Sequence, residues 1–297
     1  MTMKLDWLRG CATALVTPFA SDGSVDVECL KKLTNRQIEN GVKILVPCGT
    51  TGESATMTQD EDALVISTVV EVAKGRAKVI GGASNNNTAK TIENTKRVKE
   101  IGADAALIAS PWYNKPTQEG LIAHYSAIAE AVEGFPIVLY NVPGRTASNI
   151  SAQTTVTLAK KYEHIVCTKE ASGNFSQVME ILRDKPENFV VFSGDDSTAL
   201  PLIALGAEGV TSVISNEFPK EFSELIESCL AGSWDKACQI HYKFLAIMEA
   251  NFCESSPAPC KFVMSEMGLL EETLRLPLVP ITDASREKLR KILAELK

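Results

Sequence analysis

A lysine that closes a run of strand-forming residues is the group in this sequence with the most chemistry to offer. Lys169 follows Ile165-Val166-Cys167-Thr168, and period-two alternation puts it on the same face as Ile165 and Cys167. If that face lines the interior of a barrel, burial disfavours the ammonium and leaves the neutral amine, a nucleophile for carbonyl carbon. The competing reading is a strand-end lysine paired with its neighbour Glu170, and position alone leaves both open.

Other polar groups stand at the ends of similar runs. Tyr140 closes Ile137-Val138-Leu139, where a phenol could relay a proton or simply pack. Tyr113 follows Trp112 in a loop, as a proton carrier or a packing aromatic. Gly49-Thr50-Thr51-Gly52-Glu53 forms a tight turn with two hydroxyls and exposed amides, able to hold a carboxylate. It lacks the spacing and the lysine of a nucleotide phosphate loop. Arg145, in Pro143-Gly144-Arg145-Thr146, offers a two-pronged fork for a carboxylate, unless it is an ordinary surface arginine. Asp195-Asp196 suggests a metal, but His124, His164 and His241 lie away from the strand ends and no ligand-spaced cluster exists. A structural role for the two aspartates is favoured, and no metal is expected.

These groups need a scaffold that gathers strand ends. Eight β-rich runs recur: Ala12–Thr17, Lys43–Cys48, Lys78–Ala83, Ala105–Ala109, Pro136–Asn141, Ile165–Lys169, Phe189–Ser193 and Gly209–Ile214. Helical spacing fills the gaps, as in Ala89, Ile92, Val98 and Ile101, and Gly41, Gly75, Gly102, Gly134 and Gly206 stand where helices should stop. Near-continuous apolar strands alternating with helices mean a covered parallel sheet. Eight units favour an α/β TIM (β/α)8 barrel over an open sheet, with active sites at the C-terminal strand ends. We expect the barrel to occupy residues 1–222. Residues 223–297 should form a C-terminal helical appendage, helical from Glu217 to about Glu254, then again from Cys260 and from Ser285.

Composition narrows the function. Of 297 residues 45% are hydrophobic, enough for one large core, and the net charge of −7 argues against nucleic-acid binding through phosphate neutralisation. No apolar run reaches the roughly 20 residues that span a bilayer. Met1 to Trp7 resembles neither a signal nor a transit peptide, so a cytoplasmic protein is expected. The eight cysteines are scattered without a Cys-x-x-Cys, and Cys48 and Cys167 lie in apolar, strand-like segments; free thiols are expected over disulfides or zinc.

Taken in order, these segments resemble the dihydrodipicolinate synthase and N-acetylneuraminate lyase superfamily, over nearly the whole chain from the first strand to Thr282. Lys169-Glu170-Ala171-Ser172-Gly173-Asn174, Tyr140-Asn141-Val142-Pro143-Gly144-Arg145-Thr146, Trp112-Tyr113-Asn114-Lys115-Pro116 and Ser193-Gly194-Asp195-Asp196 look like the synthase branch. The resemblance implies a pyruvate imine on Lys169, with the carboxylate held around Thr50 and Thr51. It also implies a proton relay of Tyr140, Thr50 and Tyr113, the last reaching into a neighbouring subunit. The enamine would attack L-aspartate 4-semialdehyde, gripped by Arg145, and give 4-hydroxy-tetrahydrodipicolinate on the way to lysine. Gly194 and the backbone carbonyl of Thr211 would contact substrate. No cofactor is implied, and the usual assembly is a homotetramer. A related 2-keto acid aldolase or sialic acid lyase is the alternative, with a non-catalytic keto-acid-binding barrel as a remote third.

Departures from the pattern are informative. Trp112 stands where the family has a tyrosine, Thr211 where isoleucine is common, and Ser255-Ser256-Pro257-Ala258-Pro259 loosely replaces Asn-Pro-Ile-Pro. Members inhibited by lysine carry histidine and glutamate in the allosteric pocket. The positions that match are Gln59, Asp62 and Lys90, and a lysine at position 90 would repel the effector's ammonium. Weak or absent inhibition by lysine is therefore expected.

Overall fold

The computed structural model describes residues 5–296. The opening residues Met1–Lys4, part of the leader reading above, lie outside them.

Eight strands close on themselves as a parallel barrel in chain order, with β8 returning to β1. They are β1 (Gly10–Ala14), β2 (Ile44–Val46), β3 (Lys78–Gly82), β4 (Ala105–Ala109), β5 (Ile137–Asn141), β6 (Ile165–Glu170), β7 (Val190–Ser193) and β8 (Gly209–Ser212). The TIM barrel expected from the alternation is the one observed. Alternation divides its apolar residues in two. Leu45, Ala106, Ile108, Leu139 and Val191 face out and pack with the surrounding helices. Ala12, Ile44, Val46, Ile80, Leu107, Val138, Cys167 and Phe192 face in and fill the barrel. Each large apolar side chain so buried contributes about 1.5–3 kcal/mol.

Two glycines permit close approaches. A Cβ on Gly209 would lie 2.8 Å from the Phe192 ring and 2.3 Å from the Gly10 carbonyl oxygen. Only glycine lets Phe192 fill the interior at that level. A Cβ on Gly82 would lie 1.9 Å from the Cys48 carbonyl oxygen, so Gly82 lets the turn after β2 collapse onto β3.

The helices stop where the glycines suggest. Val27–Glu39, Gln59–Ala73, Thr88–Ile101, Gln118–Ala131 and Ala199–Ala204 are each followed within three residues by a left-handed glycine. Beyond β8 lie Pro219–Leu230, Trp234–Ala250, Ala258–Glu266 and Asp283–Leu296. The expected long helix after Glu217 is therefore two helices, broken at Gly232, whose φ of 72° ends the first. Pro219–Leu230 packs against β1 and contributes Phe222, Leu225 and Ile226 to the main core.

Two local readings are corrected. Cys48 lies beyond β2, in a turn with φ of 57°, because the strand ends at Val46. Ile165 faces the helices, not the interior shared by Cys167 and Lys169. Ile137 pairs with Ile165, but Val138 pairs with Cys167, leaving Val166 as an extra, bulged residue. The bulge resets the alternation between Ile165 and Cys167.

All eight cysteines are free thiols. Among the described residues no helix is long and apolar enough to cross a membrane, and no cluster of metal-ligating side chains occurs.

Candidate active site

The chemistry gathers where β5 and β6 end. Tyr140 and Lys169 are direct partners across that ladder, and Lys169 pairs on its other side with Phe192. Both polar residues are buried, each 6% exposed. The Lys169 Nζ sits 4.2 Å from the Tyr140 ring centroid. A cation so placed is attracted by the ring face, and the neutral amine lies beside a hydroxyl-bearing ring. Lys169 has no carboxylate partner among the described residues, and the Tyr140 hydroxyl makes no hydrogen bond to them.

The pairing of Lys169 with Glu170 does not occur. Glu170 points to the opposite face, accepting from Asn141 Nδ2 (3.0 and 3.1 Å), the Ser172 amide (2.8 Å) and Gln177 Nε2 (3.1 Å). Asn141 Oδ1 in turn accepts from the Ile150 amide at 2.9 Å. This buried network ties the loops after β5 and β6 together and holds the strand segment that carries Lys169. Sequence patterns hid it, because Asn141, Glu170 and Gln177 resemble ordinary polar residues at element ends.

The turn after β2 has the form expected of a carboxylate cradle. The Gly52 and Glu53 amides donate back to the Gly49 and Thr50 carbonyls (3.1 Å each). The Thr50 and Thr51 amides donate to no described residue. Thr51 is buried, whereas Thr50 is exposed on this chain. Thr17 clamps the turn from β1 by donating to the Gly52 carbonyl at 2.7 Å.

The remaining candidates stand around this rim. Arg145, in the short helix Pro143–Thr146, is exposed and has no ion-pair partner among the described residues. Thr211 is buried beside Ala12 on β8, in register with the interior face. The Gly194 amide is committed to the Glu170 carbonyl (2.8 Å), so only its carbonyl remains free. A Cβ on Gly194 would lie 2.5 Å from that of Ala171, which leaves no room for a side chain. Tyr113 is 89% exposed with a left-handed φ of 76°, and it makes no hydrogen bond or ring contact with Tyr140 or Thr50.

Asp196 is structural, accepting from the Val213 and Ile214 amides (3.1 and 2.9 Å) at 1% exposure; burial raises its pKa to about 6. His124 lies with its Nδ1 2.9 Å from the Thr88 hydroxyl, and burial lowers its pKa to about 4. Glu53 and Lys261, which sequence reasoning did not assign, form an ion pair at 2.5 Å with both side chains wholly buried.

A cavity of about 1130 Å³ lies at the opposite mouth of the barrel, by Gly10, Lys43, Lys78 and Asp104. Two of its lysines are paired, Lys43 with Glu227 and Lys78 with Asp104, and burial pushes the thiol of Cys11, which also lines it, up to about 12. In this fold chemistry belongs to the other face.

Comparison with known proteins identifies the family. Residues 7–296 match the model of the dihydrodipicolinate synthetase family. The chain belongs to that family. It is 53% identical to the 4-hydroxy-tetrahydrodipicolinate synthase of Koribacter versatilis, covering 97% of this chain and 96% of the relative. A crystal structure of dihydrodipicolinate synthase from Aquifex aeolicus is similar with a TM-score of 0.95 at 42% identity, covering 97% of this chain and 98% of that one. The chloride-inhibited dihydrodipicolinate synthase from Acinetobacter baumannii, solved with pyruvate, is similar with a TM-score of 0.95 at 43% identity, covering 97% and 99%. Membership of the dihydrodipicolinate synthetase family thus rests on the full barrel and the helices beyond it.

Proposed function

We infer that the chain condenses pyruvate with L-aspartate 4-semialdehyde to give 4-hydroxy-tetrahydrodipicolinate, as the names of its relatives imply, in lysine and diaminopimelate biosynthesis. The observation that carries the mechanism is the buried, unpaired Lys169 amine over the Tyr140 ring.

The amine of Lys169 adds to the pyruvate ketone, and loss of water from the carbinolamine gives an imine. Tyr140 moves the protons of that step, since its hydroxyl is free and its ring borders the amine. The pyruvate carboxylate rests on the Thr50 and Thr51 amides. A proton lost from the methyl group leaves an enamine whose carbon attacks the aldehyde of the second substrate. That substrate's amine then adds to the imine carbon and displaces Lys169, closing the ring. Arg145 supplies a free guanidinium for its carboxylate, and the Gly194 and Thr211 carbonyls accept its polar hydrogens. No metal or organic cofactor takes part in these steps.

Tyr113 completes the relay in a neighbouring subunit. Its exposure and its left-handed backbone, an unfavourable conformation for tyrosine, support a homotetramer built from such pairs. The protein works in the cytoplasm, and residues 223–297 serve as a helical extension of the barrel at 1–222.

Borohydride reduction with pyruvate, followed by peptide mass mapping, tests the mechanism. An adduct on Lys169 supports it; an adduct elsewhere, or none, removes it. A coupled assay offering aspartate semialdehyde against sialic acid and 2-keto-3-deoxy sugar acids tests the acceptor.

A further inference from the structure

A fully buried cation lies beneath the carboxylate-binding turn, and it comes from the far end of the chain. Lys261, in helix Ala258–Glu266, is wholly buried, and its Nζ contacts Glu53 Oε1 at 2.5 Å. The same Nζ donates to the Thr273 carbonyl at 2.9 Å and lies 4.3 Å from the Phe19 ring centroid. Arg275 stacks on the same ring at 4.3 Å, and its amide donates to Glu53 Oε2 at 3.3 Å. Arg275 also grips Glu61 and the Gly23 and Thr56 carbonyls, which brace the segment after the turn.

Glu53 is the last residue of the turn that contains Thr50 and Thr51. Its φ of 55° is left-handed, a conformation glutamate adopts only when its surroundings enforce it. Its amide closes the turn on the Thr50 carbonyl. A carboxylate buried to this depth must be paired, and Lys261 is its cationic partner. The pair therefore determines where the turn's last residue sits. The Thr50 and Thr51 amides, free of other partners, take their direction from that anchor.

We propose that Lys261 and Glu53 are positioning residues for the pyruvate carboxylate, through which the C-terminal helices set the pose of the Thr50–Thr51 turn. The inference rests on the reading that this turn receives pyruvate. Neither side chain touches substrate, so loss of the pair weakens the pyruvate half of the reaction and spares the acceptor half.

The test compares Glu53→Gln, Lys261→Met and the double variant with the unmodified protein. Three quantities are read: the pyruvate concentration giving half-maximal borohydride trapping on Lys169, KM for each substrate, and thermal melting. Each single variant should raise the half-saturating pyruvate about tenfold, the effect of one misplaced charge-assisted hydrogen bond, with KM for aspartate semialdehyde little changed. The double variant, which leaves no unpaired buried charge, should recover part of that loss.

Glu53→Gln keeps the shape and the acceptor for the Arg275 amide, so it carries the test if Lys261→Met does not fold. A folded Glu53→Gln with unchanged pyruvate half-saturation overturns the proposal. So does an equal rise in both KM values, or a lower melting temperature with no kinetic change. Absence of trapping on Lys169 in the unmodified protein overturns the reading of the site as well, and the two failures are thus told apart.

Discussion

Lys169 faces Tyr140 across the β5–β6 ladder because one extra residue, Val166, is bulged out of β6 immediately after the first paired residue, Ile165. The bulge puts Cys167 and Lys169 inward while Ile165 packs against the helices. Bulges re-aim side chains next to active sites, and this one directs a lysine at an aromatic ring.

The pair has separable roles, and substitution should separate them. Lys169→Ala should abolish pyruvate trapping and leave a folded barrel, because the core around it is set by Phe192, Cys167 and Val138. Tyr140→Phe should still trap pyruvate, but more slowly, and lower kcat by about 10²–10⁴-fold, the range of a lost general acid–base group. Circular dichroism and single-turnover trapping would distinguish these outcomes, and a Tyr140→Phe protein with full kcat would exclude the relay.

Arg145 should act on the second substrate alone. It is exposed and unpaired, so Arg145→Ala disturbs no packing, and melting should be unchanged. KM for aspartate semialdehyde should rise about tenfold or more, the value of a charge-assisted contact, with pyruvate KM nearly constant. Arg145→Lys should restore little, since an ammonium lacks the fork.

Glu217 has the opposite character, for it is wholly buried and burial raises its pKa well above the ordinary value of 4.5. A carboxyl with a raised folded pKa binds more protons when folded, so its contribution is present below pH 4.5 and declines as pH rises through the folded value. Asp196, raised from 3.8 to about 6, acts in the same direction over that window. Glu217→Gln has no proton to lose, so it should gain stability relative to the unmodified protein as pH rises above 4.5. Melting temperatures at pH 5 and pH 8 test this; a variant whose disadvantage grows with pH would contradict it.

Lysine should inhibit weakly or not at all. Gln59 begins helix Gln59–Ala73 and donates to Asn94 (3.2 Å), and Lys90 is exposed on the next helix. Burial raises the Asp62 pKa to about 7, so near neutrality that carboxyl is only a partial countercharge for an incoming ammonium. Initial rates with increasing lysine provide the measurement, and inhibition at sub-millimolar concentrations would contradict the expectation.

The barrel was legible because eight apolar runs and five glycine stops are local signals, each readable within a dozen residues. Lys169, Tyr140, Thr51 and Arg145 were legible as strand-end residues for the same reason. The bulge was not, because Val166 and Cys167 are both apolar and alternation cannot tell an extra apolar residue from a facing one. Cys48 looked like strand because nothing in its type announces a left-handed backbone. The Glu53–Lys261 pair joins opposite ends of the chain, and no periodic pattern spans that separation.

Glu170 has a further consequence. Its bonds to Asn141, Ser172 and Gln177 fasten the residue next to Lys169, so the Lys169 backbone is anchored from behind. Arg145, in the short helix Pro143–Thr146, and Tyr113, in the loop after β4, are exposed and lie outside that network. Substitutions at that rim can therefore change what it contacts without moving the Lys169 backbone.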